Sequence, residues 1–282
     1  SIPESGGDYR PGISPKMEGT MMSKDSYKID MCNGPVLPKV IAFSLPLMLS
    51  SCLQLLFNAA DVIVVGRFAG STSLAAVGST TELLSLLTTL FIGFSIGANV
   101  NVARTLGNQD DQGTKDGIHT AVSVSILSGS AMILLGFLFG RPMLQWMGTP
   151  ADVIDKASLY LMIIFIGMPS NMAYNFGSAI LRAMGDTKRP LYFLSAAGVL
   201  NVVLNLIFVI VLHMDVAGVA LATILSETLS AVLILNCLCR TDGPCHLNIR
   251  KLYIQKDQLF RMLRIGLPAG IQSGMFSFSN VL

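Results

Sequence analysis

The sequence predicts an all-α polytopic membrane protein: a six-transmembrane-helix bundle followed by the start of a seventh helix. Of its 282 residues, 52% are hydrophobic and only 13% are charged, whereas about 25% of the residues of soluble domains are charged. The apolar residues form continuous blocks of roughly 20 or more, which as helices can cross a hydrocarbon core of about 30 Å. Barrel strands are excluded, because the blocks do not alternate and are about twice as long as such strands.

Six complete spans and one incomplete span follow from these blocks. The complete spans are predicted at Val36–Val65, Leu74–Ala98, Ile118–Gly140, Ala157–Leu181, Pro190–Leu212 and Val216–Cys239. The seventh begins near Arg261. The predicted organisation is a disordered cytoplasmic tail over residues 1–35, a six-helix lobe over 36–239, a cytoplasmic linker over 240–260 and a partial seventh transmembrane helix over 261–282.

The basic residues predict a cytoplasmic N-terminus. All but three of the 19 Lys and Arg residues fall on the side of the N-terminus, the exceptions being Arg67, Arg141 and Lys156. Cytoplasmic loops carry such an excess of Lys and Arg. The formal net charge of +2 then reflects topology, and no nucleic acid partner is expected.

The cysteines do not predict a metal centre. Cys237, Cys239, Cys245 and His246 lie close in sequence, but their spacing matches no structural zinc pattern. All five cysteines fall in spans or on the predicted cytoplasmic side, where reduced thiols are the expectation.

One acidic residue, Asp61, interrupts the first span. Placing a carboxylate at membrane depth costs about 2.5–3.5 kcal/mol on insertion scales, so such residues usually line a pathway or an ion site. The structural alternative is a hydrogen-bonded or protonated acid near the end of the helix.

Other polar residues are predicted to lie with Asp61 in one layer of the outer leaflet. At about 1.5 Å per residue, Asp61 lies about 7–8 Å from the outer loops, and Asn58, Glu82, Asn205 and Thr223 lie about 12 Å from them. Asn201 lies one turn below Asn205, and Glu227 lies near mid-bilayer. Carboxylate, amide and hydroxyl oxygens suit a hard cation such as Na⁺, or a proton held by Asp61. The alternative is interhelical hydrogen bonding, since Asn and Thr commonly join membrane helices.

The chain also contains the beginning of a repeat. A shift of 222 residues aligns 44–46 with 266–268, and Asn58 with Asn280. Six spans followed by a restart in the same orientation are typical of parallel transporter repeats. We therefore expect the chain to stop inside the second half of a larger design.

Several motifs, in order, carry a resemblance to the multidrug and toxic compound extrusion (MATE) family. They are Leu53–Asp61 running into Val65–Arg67, Leu74–Gly78, Leu181–Thr187 with Pro190, Asn201–Asn205, and Ala217–Thr223. The resemblance extends from about Gly34 to Leu282. It implies one lobe of a twelve-helix, two-lobe exporter of the plasma membrane, driven by inward Na⁺ or H⁺.

The resemblance also implies roles for individual residues. Asp61 belongs to the cation site, and Asn201, Asn205 and Thr223 map onto it; Asn58, Glu82 and Glu227 are further candidates. Some family members carry an acid where Asn205 stands, which leaves the identity of the ion open. No cofactor is implied besides the coupling ion. The implied partners are membrane lipid, amphipathic organic cations as substrates, and a second lobe or second copy of the chain.

Three alternatives to a cation-coupled exporter are a flippase, an intramembrane enzyme and a nonfunctional fragment. A related lipid-linked oligosaccharide flippase would require a wide cationic cavity. This function is disfavoured, because the spans contain almost no Arg or Lys. An intramembrane enzyme is disfavoured, because His119, His213 and His246 lie at loops or span edges and no nucleophile–base or metal pattern emerges. The last alternative is a nonfunctional fragment in which the polar residues are structural.

Overall fold

The structure, a computed structural model, describes the backbone of residues 36–281 and the side chains of 37–275. The predicted disordered tail, Cys32 and the side chain of Asn280 lie outside the described residues. Within them the chain is helical and contains no strand. The helices are α1 (Val36–Val64), α2 (Ser71–Gly107), α3 (Asp111–Trp146), α4 (Ile154–Ala183), α5 (Lys188–Asn205), α6 (Asp215–Cys239) and α7 (Lys256–Val281).

Six of these helices, α1 to α6, are long and apolar enough to cross a membrane, so the predicted six-helix bundle is confirmed. Several helices run well beyond the predicted spans; α2 and α3 contain 37 and 36 residues. Because the connections from α1 to α6 are short, these successive helices are antiparallel. We call the end that carries the connections 108–110, 184–187 and 240–255 the basic end.

The helix α4 is the centre of the bundle and contacts α2, α3 and α6. Its Phe165 and Phe176 are fully buried. The approach of α3 is close because Gly129 leaves no room for a side chain beside Pro169; such small residues let membrane helices approach. The helix α1 packs mainly on α5 and is otherwise exposed, while α7 lies along α2.

Two short π-helical segments continue α1 and α5. The first, Val65–Ala69, begins four residues after Asp61, and the second, Leu206–Val211, begins directly after Asn205. The two segments contact each other. Single π-turns of this kind occur frequently at functional sites, and here they mark the level of the predicted polar layer.

The connection 240–255 packs on and hydrogen-bonds to the part of α3 at the basic end. The ring of His119 stacks on Tyr253, with centroids 5.2 Å apart, and the hydroxyl of Tyr253 donates to the carboxylate of Asp116. The backbone N–H of Asn248 donates to Nε2 of His119 at 3.3 Å. These contacts hold the chain in place just before α7 begins.

Candidate functional site: a carboxylate and amide cluster inside the bundle

Asp61 and Asn205 meet between α1 and α5. The side-chain amide of Asn205 donates to Oδ1 of Asp61 at 2.5 Å and to Oδ1 of Asn201 at 3.2 Å. Asn205 is almost completely buried, and its own Oδ1 has no hydrogen-bond partner. A buried acceptor without a partner is costly, so this oxygen is available to a ligand.

Asn201 extends the cluster from α5 to α6. Its amide lies 3.5 Å from the hydroxyl oxygen of Thr223. That hydroxyl donates to the backbone oxygen of Val219 at 3.0 Å, which leaves lone pairs of the Thr223 oxygen free to accept. The four residues that the resemblance assigned to one site are thus brought together in the order Asp61, Asn205, Asn201, Thr223.

A second carboxylate lies beside this chain of residues. Glu227, one helical turn after Thr223 on α6, accepts a hydrogen bond of 2.8 Å from Asn171 of α4. Both carboxylates and Asn58 line one cavity of about 110 Å³. Like charges that share a site disfavour simultaneous ionisation, so a proton or a cation between them is favoured.

The structure does not bring Glu82 into this cluster. Glu82 lies on α2, is exposed and does not line the cavity. The depth estimate placed it at the right level, but depth says nothing about which face of a helix a side chain occupies. Glu82 of α2 therefore does not line this cavity, whereas residues of α4 do.

The contribution of α4 was missed in the sequence. Asn171 bonds Glu227, and Asn175 donates to Oδ1 of Asn171 at 2.9 Å; Tyr174 also lines the cavity. A signal was present, because two amides at positions i and i+4 of an apolar span lie on one helix face. Polar side chains at membrane depth usually face the bundle interior.

The cluster can hold a hard cation or a proton. Its available ligand atoms are carboxylate, amide and hydroxyl oxygens, a set that suits Na⁺ rather than a transition metal. The orphaned Oδ1 of Asn205 fits such a cation, because a bound ion would satisfy it. The two carboxylates supply the negative charge.

A polar cavity lined by four of the six membrane-spanning helices is typical of polytopic membrane transporters. The MatE family model matches residues 46–207 of the chain. The chain belongs to the MatE family.

Comparison with individual proteins agrees with this assignment. The chain is 30% identical to the probable multidrug resistance protein YpnP of Bacillus subtilis (strain 168) over 262 residues, which cover 90% of this chain and 58% of YpnP. It is 23% identical to the multidrug export protein MepA of Staphylococcus aureus (strain MRSA252) over 248 residues, 88% of this chain and 55% of MepA. The chain therefore spans about half the length of these relatives.

A solved structure shares the fold. It is an outward-facing multidrug resistance MATE family transporter of the MOP superfamily, with a TM-score of 0.78 and 27% sequence identity. The match covers 85% of this chain and 53% of that one. The six-helix bundle thus corresponds to about half of such a transporter.

Proposed function

We propose that this chain forms one lobe of a secondary active antiporter that exports amphipathic organic cations in exchange for Na⁺ or H⁺. The observation that carries the proposal is the Asp61–Asn205 contact beside Glu227, inside the bundle. The names of the relatives, which describe multidrug resistance and multidrug export, support multidrug export as the activity. The excess of basic residues on one side supports a cytoplasmic N-terminus in a plasma membrane.

The cluster supplies a simple basis for exchange. A proton or Na⁺ at Asp61 neutralises the carboxylate that an organic cation also needs as its counter-charge. The two ligands therefore exclude each other at Asp61. Exchange also requires that each ligand binds the two conformations of the transporter with different affinity, because only then does binding shift the conformational equilibrium. The Asn205 amide, which donates to Asp61, holds the carboxylate in position for either ligand.

The test is export of ethidium by the full-length protein in membrane vesicles, under an imposed Na⁺ or H⁺ gradient. Asp61→Asn should abolish gradient-driven export while expression stays unchanged. The matched control is Glu82→Gln, which removes a carboxylate at a similar predicted depth but outside the cavity, and should export normally. Undiminished export by Asp61→Asn would overturn the proposal.

A second experiment addresses the need for two lobes. Binding between lobes requires both to move against each other. We expect residues 1–282 in proteoliposomes to bind the coupling cation weakly, and to export only with a co-expressed second half. Robust export by residues 1–282 alone would show instead that two copies work as a homodimer.

A further inference from the structure

A second and larger cavity lies between the carboxylate cavity and the basic end of the bundle. Its volume is about 420 Å³, within the range of about 300–1,000 Å³ that is usual for ligand pockets. Residues of α1, α2, α4 and α5 line it, and it shares Gln54, Tyr174, Asn175 and Leu194 with the carboxylate cavity. The two cavities are therefore adjoining parts of one interior space.

The polar groups around this second cavity are mostly satisfied by the protein itself. Asn99 donates to the backbone oxygen of Ala179 at 2.7 Å. The hydroxyl of Tyr174 donates to the Pro190 oxygen at 3.3 Å. Ser178 likewise donates to a backbone oxygen of its own helix. The hydroxyl hydrogens of Tyr174 and Ser178, and one of the two amide hydrogens of Asn99, are thus engaged within the protein.

Arg182 is the one charged side chain among the residues that line this cavity. It lies in the last turn of α4, is partly buried, and lines the cavity. Within the described part of the chain, its guanidinium makes no hydrogen bond and no ion pair. The acid closest in sequence, Asp186, is engaged by Arg189, both through an ion pair of 3.3 Å and through the Arg189 backbone N–H. A guanidinium carries five N–H donors, and all five are available here.

The walls and the charge together define the ligand. Phe43, Leu47, Ile96 and Leu194 give the cavity apolar surface, whereas Arg182 gives it one positive charge. Guanidinium groups bind carboxylate and phosphate through paired hydrogen bonds. An amphiphile with one anionic group therefore matches both features, with its anion at Arg182 and its apolar part against the walls.

We propose that the cavity at the basic end is a binding site for the anionic group, phosphate or carboxylate, of an amphiphilic molecule, and that Arg182 is the residue that binds it. The interior space then has carboxylates at one end and a guanidinium at the other. The site is a binding site in its own right and does not require cation-coupled export. Its test is accordingly a binding measurement, which can succeed or fail independently of the transport assay.

The experiment uses the purified 282-residue chain in a neutral maltoside detergent, with dodecyl phosphate as the probe. Arg182→Gln should weaken dodecyl phosphate binding by about 10-fold or more, since a charge-assisted hydrogen-bonded pair is lost. The affinity of Arg182→Lys for dodecyl phosphate should lie between those of the unaltered protein and Arg182→Gln. The matched control is Arg104→Gln, an exposed arginine in the last turn of α2 at the same end, which should bind like the unaltered protein.

Two further arms make the result decisive. Leu47→Trp fills the cavity from α1 and leaves Arg182 in place, so it should also weaken dodecyl phosphate binding. This second variant keeps the proposal testable if Arg182→Gln fails to fold.

Inorganic phosphate and nanodiscs with or without phosphatidylglycerol distinguish the sources of the anion. Binding of inorganic phosphate that depends on Arg182 indicates a soluble anion, and retention of phosphatidylglycerol that depends on Arg182 indicates a lipid headgroup. Equal dodecyl phosphate binding by the unaltered protein and a folded Arg182 or Leu47 variant would overturn the proposal.

Discussion

Gly93 of α2 and Gly270 of α7 contact each other backbone to backbone. A Cβ atom built on Gly93 would overlap the Cα of Gly270, and one built on Gly266 would lie 2.8 Å from the Gly93 carbonyl oxygen. A Cβ atom built on Gly97 would likewise overlap the carbonyl oxygen of Met262, at 2.1 Å. Both helices thus carry glycines four residues apart on the contact face, the spacing of closely packed membrane helix pairs.

We predict that Gly93→Ala destabilises the contact between α2 and α7. A new methyl group forces the backbones apart, and overpacking of this kind typically costs about 1–3 kcal/mol. The matched control is Gly78→Ala in the same helix, where a Cβ meets nothing within 4 Å; this change should leave stability equal or slightly higher. Proteolysis of the connection 240–255 and thermal unfolding in detergent measure the difference. Equal behaviour of the two variants would contradict the close contact.

We predict that Asn205→Ala weakens the dependence of export on the coupling cation more than Asn201→Ala does. Asn205 touches Asp61 directly, whereas Asn201 reaches Asp61 only through Asn205. Loss of a residue that orients an ion ligand typically costs about 10-fold or more in affinity. The measurement is the cation concentration that gives half-maximal export by each full-length variant. Equal values, or the reverse order, would count against this geometry.

We predict that the ion pair between Lys156 and Asp215 is stronger than the one between Arg141 and Asp155. Lys156 lies 2.6 Å from Asp215 and 2.9 Å from Ser73, which itself donates to Asp215 at 2.5 Å. The Lys156 and Asp215 side chains are 39% and 35% exposed, against 54% and 78% for Arg141 and Asp155. This three-residue network connects α2, α4 and α6.

Double-mutant cycles with Lys156→Met and Asp215→Asn, and with Arg141→Met and Asp155→Asn, test that prediction. The Arg141–Asp155 coupling should be near zero, and the Lys156–Asp215 coupling should approach about 1 kcal/mol, the upper part of the range for exposed pairs. The free energies of unfolding come from titration with a denaturing detergent at low and at moderate salt. A Lys156–Asp215 coupling no larger than that of the other pair would refute the network.

We predict that Tyr253 ionises later than an ordinary tyrosine. Partial burial and the hydrogen bond to the Asp116 carboxylate raise the pKa of Tyr253 from 10.0 to about 12. Because the folded state retains this proton longer than the unfolded state, the stabilisation by Tyr253 is fully present below about pH 10 and is lost as the pH rises to about 12. The difference in absorbance titration between the unaltered protein and Tyr253→Phe isolates the group. Asp116→Asn should lower the pKa, and an unchanged titration would show that Asp116 is not its cause.

The sequence by itself determined the class of fold and most of the candidate site. Hydrophobic blocks of membrane-spanning length leave helices as the only arrangement that satisfies the backbone in lipid, so six spans could be predicted from composition and length. Asp61, Asn201, Asn205 and Thr223 stood out because polar groups at membrane depth are costly, and the motifs of the family placed them in one site.

Only the tertiary structure decided which side chains meet. Glu82 shares the predicted layer of Asp61 but faces away, whereas Asn171 reaches Glu227 from a helix that the depth estimate did not include. Likewise, Arg182 lies just beyond the predicted fourth span, and the structure places it in the last turn of α4 against a cavity. Sequence spacing gives the height of a residue along its own helix. The rotation of each helix, and therefore its neighbours, is set by packing against the other helices, as in the approach that Gly129 allows between α3 and Pro169 of α4.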